Sequence, residues 1–215
     1  MLKSTLFCGL LLLSELLPNS SFGQDREFYP FRKYSQADGL SSYNITKILQ
    51  DINGFVWIST QDGLNCFDGK SFLVFNKQKD PRHQLAGNTI MDMTEDRKRG
   101  LIWLVTSYGG LQAININTRS VHAPDDRDRK ALVFNNKWLH SVAVTGDILW
   151  IGTYAGLYGY DLVRHHSITP DGIPPAFGNP DSIKVGRLVT DSSGHCWAFC
   201  DGQGILVFDG NTGHL

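Results

Sequence analysis

The residues able to do chemistry are few and scattered. His165-His166 is the one adjacent pair among seven histidines, and paired imidazoles become a zinc site only when further ligands join them. It falls in a predicted turn and reads as solvated. Asp51-Ile52-Asn53-Gly54 and Asp191-Ser192-Ser193-Gly194 resemble the front of a calcium loop. The further acidic ligands that calcium needs do not follow. Both read instead as Asx turns, in which a carboxylate caps nearby backbone N–H groups. HExxH, GxSxG and P-loop patterns are absent from the sequence. The carboxylates lie scattered at turns, and no glycosidase pair can be assigned from spacing. Asp125-Asp126-Arg127-Asp128-Arg129-Lys130 is a mixed-sign run of the kind found in solvated loops. The expectation is therefore no catalytic residue, no metal and no cofactor.

Two other groups bear on function. Trp138, Tyr108, Tyr154 and His140 fall near predicted loops, where ring faces can stack on sugars; ordinary packing is the plainer reading. The cysteines that follow a predicted leader are Cys66, Cys196 and Cys200, an odd and sparse set that is no disulfide framework. Cys196 and Cys200 share one predicted strand face roughly 13 Å apart, too far to bridge. They read as small buried hydrophobes.

The elements that carry these residues repeat. Trp57, Trp103, Trp150 and Trp197 are spaced by 46, 47 and 47 residues, a period that signals a tandem array. Gly63, Gly110, Gly156 and Gly204 recur in phase, and five residues past each stands Asp68, Asn115, Asp161 or Asp209. The first repeat shows why. Phe55-Val-Trp57-Ile-Ser-Thr60 is β-branched and aromatic between turn residues, which predicts a strand. Asp62-Gly63 suits a tight hairpin turn, and Gly63-Leu64-Asn-Cys-Phe67 continues as a second strand. Phe72-Leu-Val-Phe75 and Ile45-Thr-Lys-Ile48-Leu-Gln50 supply two more. Four short strands in about 46 residues make one β-propeller blade. Each tryptophan, on the second strand, is expected to wedge between blades.

The fold class predicted is thus all-β: a partial propeller of about four four-stranded blades, over residues 38–78, 86–123, 135–169 and 181–215. The stretch 28–35, with Tyr29-Pro30-Phe31, resembles Phe72–Phe75 and is expected to be the outer strand of a closing blade. The fourth repeat lacks most of its outer strand, so the chain reads as the front of a larger propeller. Lys3, the apolar run Leu6–Leu13 and the small residues Ser21 and Gly23 form a cleavable export signal over residues 1–23. Ser14 and Glu15 break the apolar run well short of a membrane span, and Cys8 is out of place for a lipoprotein. With 20 basic against 21 acidic residues, no surplus charge exists for nucleic acid.

The phrases Asp38-Gly-Leu40-Ser, Asp51-Ile-Asn-Gly54-Phe-Val-Trp57-Ile-Ser-Thr60 and Gly63-Leu-Asn-Cys-Phe67-Asp68-Gly69 are similar to the two-component regulator propeller repeat. The resemblance runs from about Phe28 to Leu215. It is weaker in the second repeat, where Glu95–Gly100 lengthens a turn, and Thr145-Gly146-Asp147 replaces the usual turn in the third. It implies the periplasmic sensor region of a hybrid histidine kinase, responding to polysaccharide breakdown products. Implied partners are an oligosaccharide ligand and further blades or a second subunit; the membrane would be reached only through downstream regions. The alternatives are a propeller-fold enzyme, since fold alone does not decide activity, and a truncated fragment without function. Streptogramin lyases have related repeats.

Overall fold

The computed structural model describes residues 31–107, 110–122 and 138–215. The expected leader, Tyr108 and the charged run Asp125–Lys130 lie outside the described residues. The architecture below is that of the unit Tyr34–Leu215.

Four antiparallel sheets follow one another along the chain. The first holds β1 (Ile45–Gln50), β2 (Val56–Thr60), β3 (Gly63–Phe67) and β4 (Phe72–Phe75); the second holds β5 (Ile90–Asp96), β6 (Leu101–Thr106), β7 (Gly110–Asn115) and β8 (Ser120–His122). The third holds β9 (Leu139–Thr145), β10 (Ile148–Thr153), β11 (Gly156–Asp161) and β12 (His166–Ile168). The fourth has three strands: β13 (Val185–Thr190), β14 (His195–Cys200) and β15 (Gly204–Asp209). Within every sheet the order follows the sequence. The first strands β1, β5, β9 and β13 pack side by side, as the inner strands of successive propeller blades do.

Turn chemistry closes each blade. At Gly63 φ is +118° and a Cβ would lie 2.4 Å from the Phe75 carbonyl oxygen, so only glycine fits. Thr60 Oγ1 donates to the Gly63 carbonyl, and Thr153 Oγ1 repeats this with Gly156. The in-phase Asp/Asn caps the next turn in all four blades. Asp68 Oδ1 accepts from the amides of Lys70 and Ser71, Asn115 Oδ1 from Asn117 and Thr118, Asp161 Oδ1 from Val163 and Arg164, and Asp209 Oδ1 from Asn211 and Thr212. The N–H groups of Ser71 and Lys70 hold the Asp68 carboxyl below its usual range.

Three hydrophobic clusters join the blades, each mixing one blade with the next. Trp57, Leu64 and Phe75 meet Ile90, Met93, Ile102 and Leu104. Trp103 and Val105 meet Leu139, Val142, Leu149 and Ile151. Trp150 and Ala143 meet Val185, Leu188, Cys196, Ala198 and Phe208. A blade therefore has a leading side toward its predecessor and a trailing side toward its successor. The tryptophan always sits on the trailing side.

One expectation is corrected in this frame. Trp57, Trp103 and Trp150 are buried wedges, but Trp197 is 37% exposed because no described blade lies beyond the fourth. Residues 31–35, the described part of the expected outer strand, form no strand. A strand needs an edge to pair with. Tyr34 instead packs edge-on against Phe67 and Phe72, with ring centroids 4.8 and 5.7 Å away.

Candidate functional site: the loop rim of the third and fourth blades

The fold brings together three of the four aromatic residues singled out in the sequence. Trp138 immediately precedes β9, and Tyr154 occupies the turn between β10 and β11. The Tyr154 amide donates to the Trp138 carbonyl at 3.2 Å, which fixes the two segments together. Their rings meet edge-on at 6.4 Å, and the His140 ring stands edge-on to Tyr154 at 4.9 Å. Trp138 is 66% exposed and Tyr154 40% exposed.

The fourth blade adds charge that sequence reading missed. The Lys184 ammonium lies 4.7 Å from the Tyr154 ring centroid, in cation–π range. It also pairs with Asp201 Oδ2 at 2.9 Å, and that bond raises the lysine's pKa. No spacing rule links positions 138, 154, 184 and 201. Only the lateral packing of two blades does.

Below this rim, a cleft of about 420 Å³ is lined by His140, Gly186, Arg187, Val189, Phe199 and Asp201. The His140 Nδ1–H donates to the Gly186 carbonyl at 2.9 Å, so the imidazole bridges the third and fourth blades. The cleft opens along the trailing side of the fourth blade.

The remaining sequence candidates sit elsewhere. Asp51 and Asp191 are Asx turns with a second task. Asp51 Oδ2 accepts from Trp57 Nε1 at 2.7 Å, and Asp191 Oδ2 accepts from Trp197 Nε1 at 2.9 Å. His165 occupies the turn ahead of β12, with φ +57°. Cys66, Cys196 and Cys200 are free and buried, and burial pushes the thiols of Cys66 and Cys196 up to about 12. Among the described residues, no group of three His, Cys, Asp or Glu side chains is placed to hold a metal ion, and no helix is long and apolar enough to cross a membrane. What the rim offers is two exposed aromatic side chains, one ammonium and one carboxylate, which is binding chemistry.

The fold and rim define the class: a β-propeller array whose loop edge presents exposed aromatic side chains. Residues 39–62, spanning the first blade's inner strand and its tryptophan strand, match the family model described as two component regulator propeller. Histidine kinase P4 of Formosa agariphila is 35% identical over 72 residues, which make up 34% of this chain and 5% of that protein. The extracellular domain of the hybrid two component system BT3049 from B. thetaiotaomicron superposes with a TM-score of 0.64 at 25% identity, over 85% of this chain and 25% of that one. The extracellular domain of BT4673 from the same organism shares the fold, with a TM-score of 0.57 at 18% identity, over 80% of this chain and 21% of that one. The chain thus spans about a quarter of the first solved relative and a twentieth of the kinase. Residues 39–62 of its first blade are thus similar to the two-component regulator propeller repeat, and the solved structures it resembles are extracellular domains of signalling systems.

Proposed function

We propose that this chain forms part of the exported, periplasmic sensing propeller of a two-component signalling protein, and that its loop rim binds an oligosaccharide. The observation that carries the ligand class is the exposed pair Trp138 and Tyr154, flanked by Lys184 and Asp201. A pyranose ring has an apolar C–H face that stacks on an aromatic ring and a rim of hydroxyls that pair with charged groups. Trp138 and Tyr154 offer the first, and Lys184 and Asp201 the second. Binding at this rim touches two blades at once, so a ligand would bias how they sit together, the kind of differential contact a sensor needs. In this reading catalytic output belongs to other parts of the signalling protein, as the match to a histidine kinase suggests.

The test is a panel of neutral and acidic oligosaccharides titrated into the full chain, read by calorimetry. We expect at least one to bind and both Trp138→Ala and Tyr154→Ala to weaken it about tenfold or more, the effect of losing roughly 1.4 kcal/mol of stacking. A panel without a binder, or a binder indifferent to both substitutions, overturns the reading.

A further inference from the structure

The inner strands carry a feature the repeat period does not reveal. Each has a one-residue bulge at the same place, where two residues oppose one on the neighbouring strand. The extra residue is Thr46 in β1, Met91 in β5, His140 in β9 and Gly186 in β13. Bulges re-aim the side chain that follows them, and the residues that follow are Lys47, Asp92, Ser141 and Arg187.

Those four residues form a line across the blades. Lys47 Nζ donates to Asp92 Oδ1 at 2.6 Å. Asp92 Oδ2 accepts from Ser141 Oγ at 2.7 Å and from the Val142 amide at 3.0 Å. Ser141 Oγ accepts from the Leu188 amide, next to Arg187, at 2.7 Å. At each joint a donor on one blade thus meets an acceptor on its neighbour. Arg187 ends the line: it is exposed, lines the cleft, and no described residue pairs with it.

The surface around Arg187 is the trailing side of the fourth blade. Arg187 lies opposite Phe199, which lies opposite Ile205, while Val189 lies opposite Trp197. Val189, Trp197, Phe199 and Ile205 are 37–49% exposed. In the first blade the same register gives Leu49 opposite Trp57, and that tryptophan is buried under the second blade.

We propose that this surface is the docking face for a further propeller blade in the same ring. That blade carries a carboxylate at the residue after its inner-strand bulge, and Arg187 is the counter-charge that selects it. The three joints already formed show what covers a face of this kind: an apolar leading side. The first blade also has one, since Ile45 and Ile48 occupy the register positions of the buried Ile90 and Met93 and are 46% and 59% exposed. Charge separates the two occupants. Were the fourth blade to take a first blade, its own or that of a second copy, Arg187 would meet Lys47, and like charges facing each other in a joint exclude the wrong partner. This reading goes beyond ligand binding and stands or falls apart from it.

The experiment compares the full chain with its Arg187→Asp variant, both in a Trp138→Phe background that leaves Trp197 as the one strongly exposed indole. Association is followed by sedimentation velocity, and cover over Trp197 by acrylamide quenching. We expect the parent to stay monomeric. Arg187→Asp should assemble head to tail through Lys47, on the order of tenfold more tightly, with Trp197 shielded and the gain lost near about 0.5 M salt. Arg187→Lys should behave as the parent, and adding Lys47→Met to Arg187→Asp should restore the monomer. A parent that dimerises with Trp197 shielded makes a second copy the occupant and overturns the proposal. So does an Arg187→Asp variant, melting like the parent, that associates no more than the parent does.

Discussion

The indole Nε1 of Trp57 donates to Asp51 Oδ2 at 2.7 Å, while Oδ1 of the same carboxylate accepts from the amides of Asn53 and Phe55. One side chain thus sets a turn and holds the wedge between two blades. Asp96 and Trp103 repeat the pairing at 3.4 Å across a turn one residue longer. In the third blade Thr145 and the Gly210 carbonyl take over as acceptors for Trp150. Removing Asp51 leaves a buried donor and two turn amides unanswered. We expect Asp51→Ala to cost about 2–3 kcal/mol, with Asp51→Asn recovering part of it, as measured by urea denaturation.

The wedges should not be equal. Trp150 is fully buried against Phe208 at 4.6 Å between centroids, so Trp150→Ala should cost about 3–5 kcal/mol. Trp197 has no blade beyond it among the described residues and is 37% exposed there. Trp197→Ala should cost less than half as much in the same denaturation assay.

Asp92 serves two joints, accepting from Lys47 on one side and from Ser141 and Val142 on the other. Its loss strands a cation and several buried donors. Asp92→Ala should destabilise by about 3 kcal/mol or more, and a cycle with Lys47→Met should show the two positions to be strongly coupled.

Acid should act through Asp191. The Trp197 indole N–H, together with the His195 and Ser193 amides and the His195 ring, lowers its pKa from 3.8 to about 2. A depressed carboxylate contributes stability that is full above the unfolded pKa and is lost as pH falls through the folded one. The window is therefore about pH 4 down to 2. Trp197 emission in a Trp138→Phe background should titrate there, and Asp191→Asn should abolish the transition.

The cysteines should be silent. Burial raises all three thiols, those of Cys66 and Cys196 to about 12, and thiolate is the reactive form. An aromatic disulfide reagent at neutral pH should label none in the folded chain and three beyond the leader in denaturant.

Much of the fold was legible because blade architecture is local. The strands over Ile45–Gln50 and Phe72–Phe75 were predicted at their observed bounds. Strand alternation, Asp-Gly turns and the recurring Gly and Asp report contacts made within a blade. A period near 46 then follows from repeating them, and the first blade's match to a two-component regulator propeller agrees with its phrases. The rim is different in kind. Trp138, Tyr154 and His140 were read separately as loop aromatics, but nothing in their spacing joins them to Lys184 and Asp201. The line Lys47–Asp92–Ser141 is also invisible in sequence, because a bulge changes which face a residue points to without changing the period. Whether a tryptophan is buried or exposed depends on whether a neighbouring blade covers it, which is why Trp150 and Trp197, alike in their phrases, differ in the fold. Hydrogen-bonded strand pairs are set along the chain; the joints between sheets, and the chemistry they expose, exist only once the blades pack side by side.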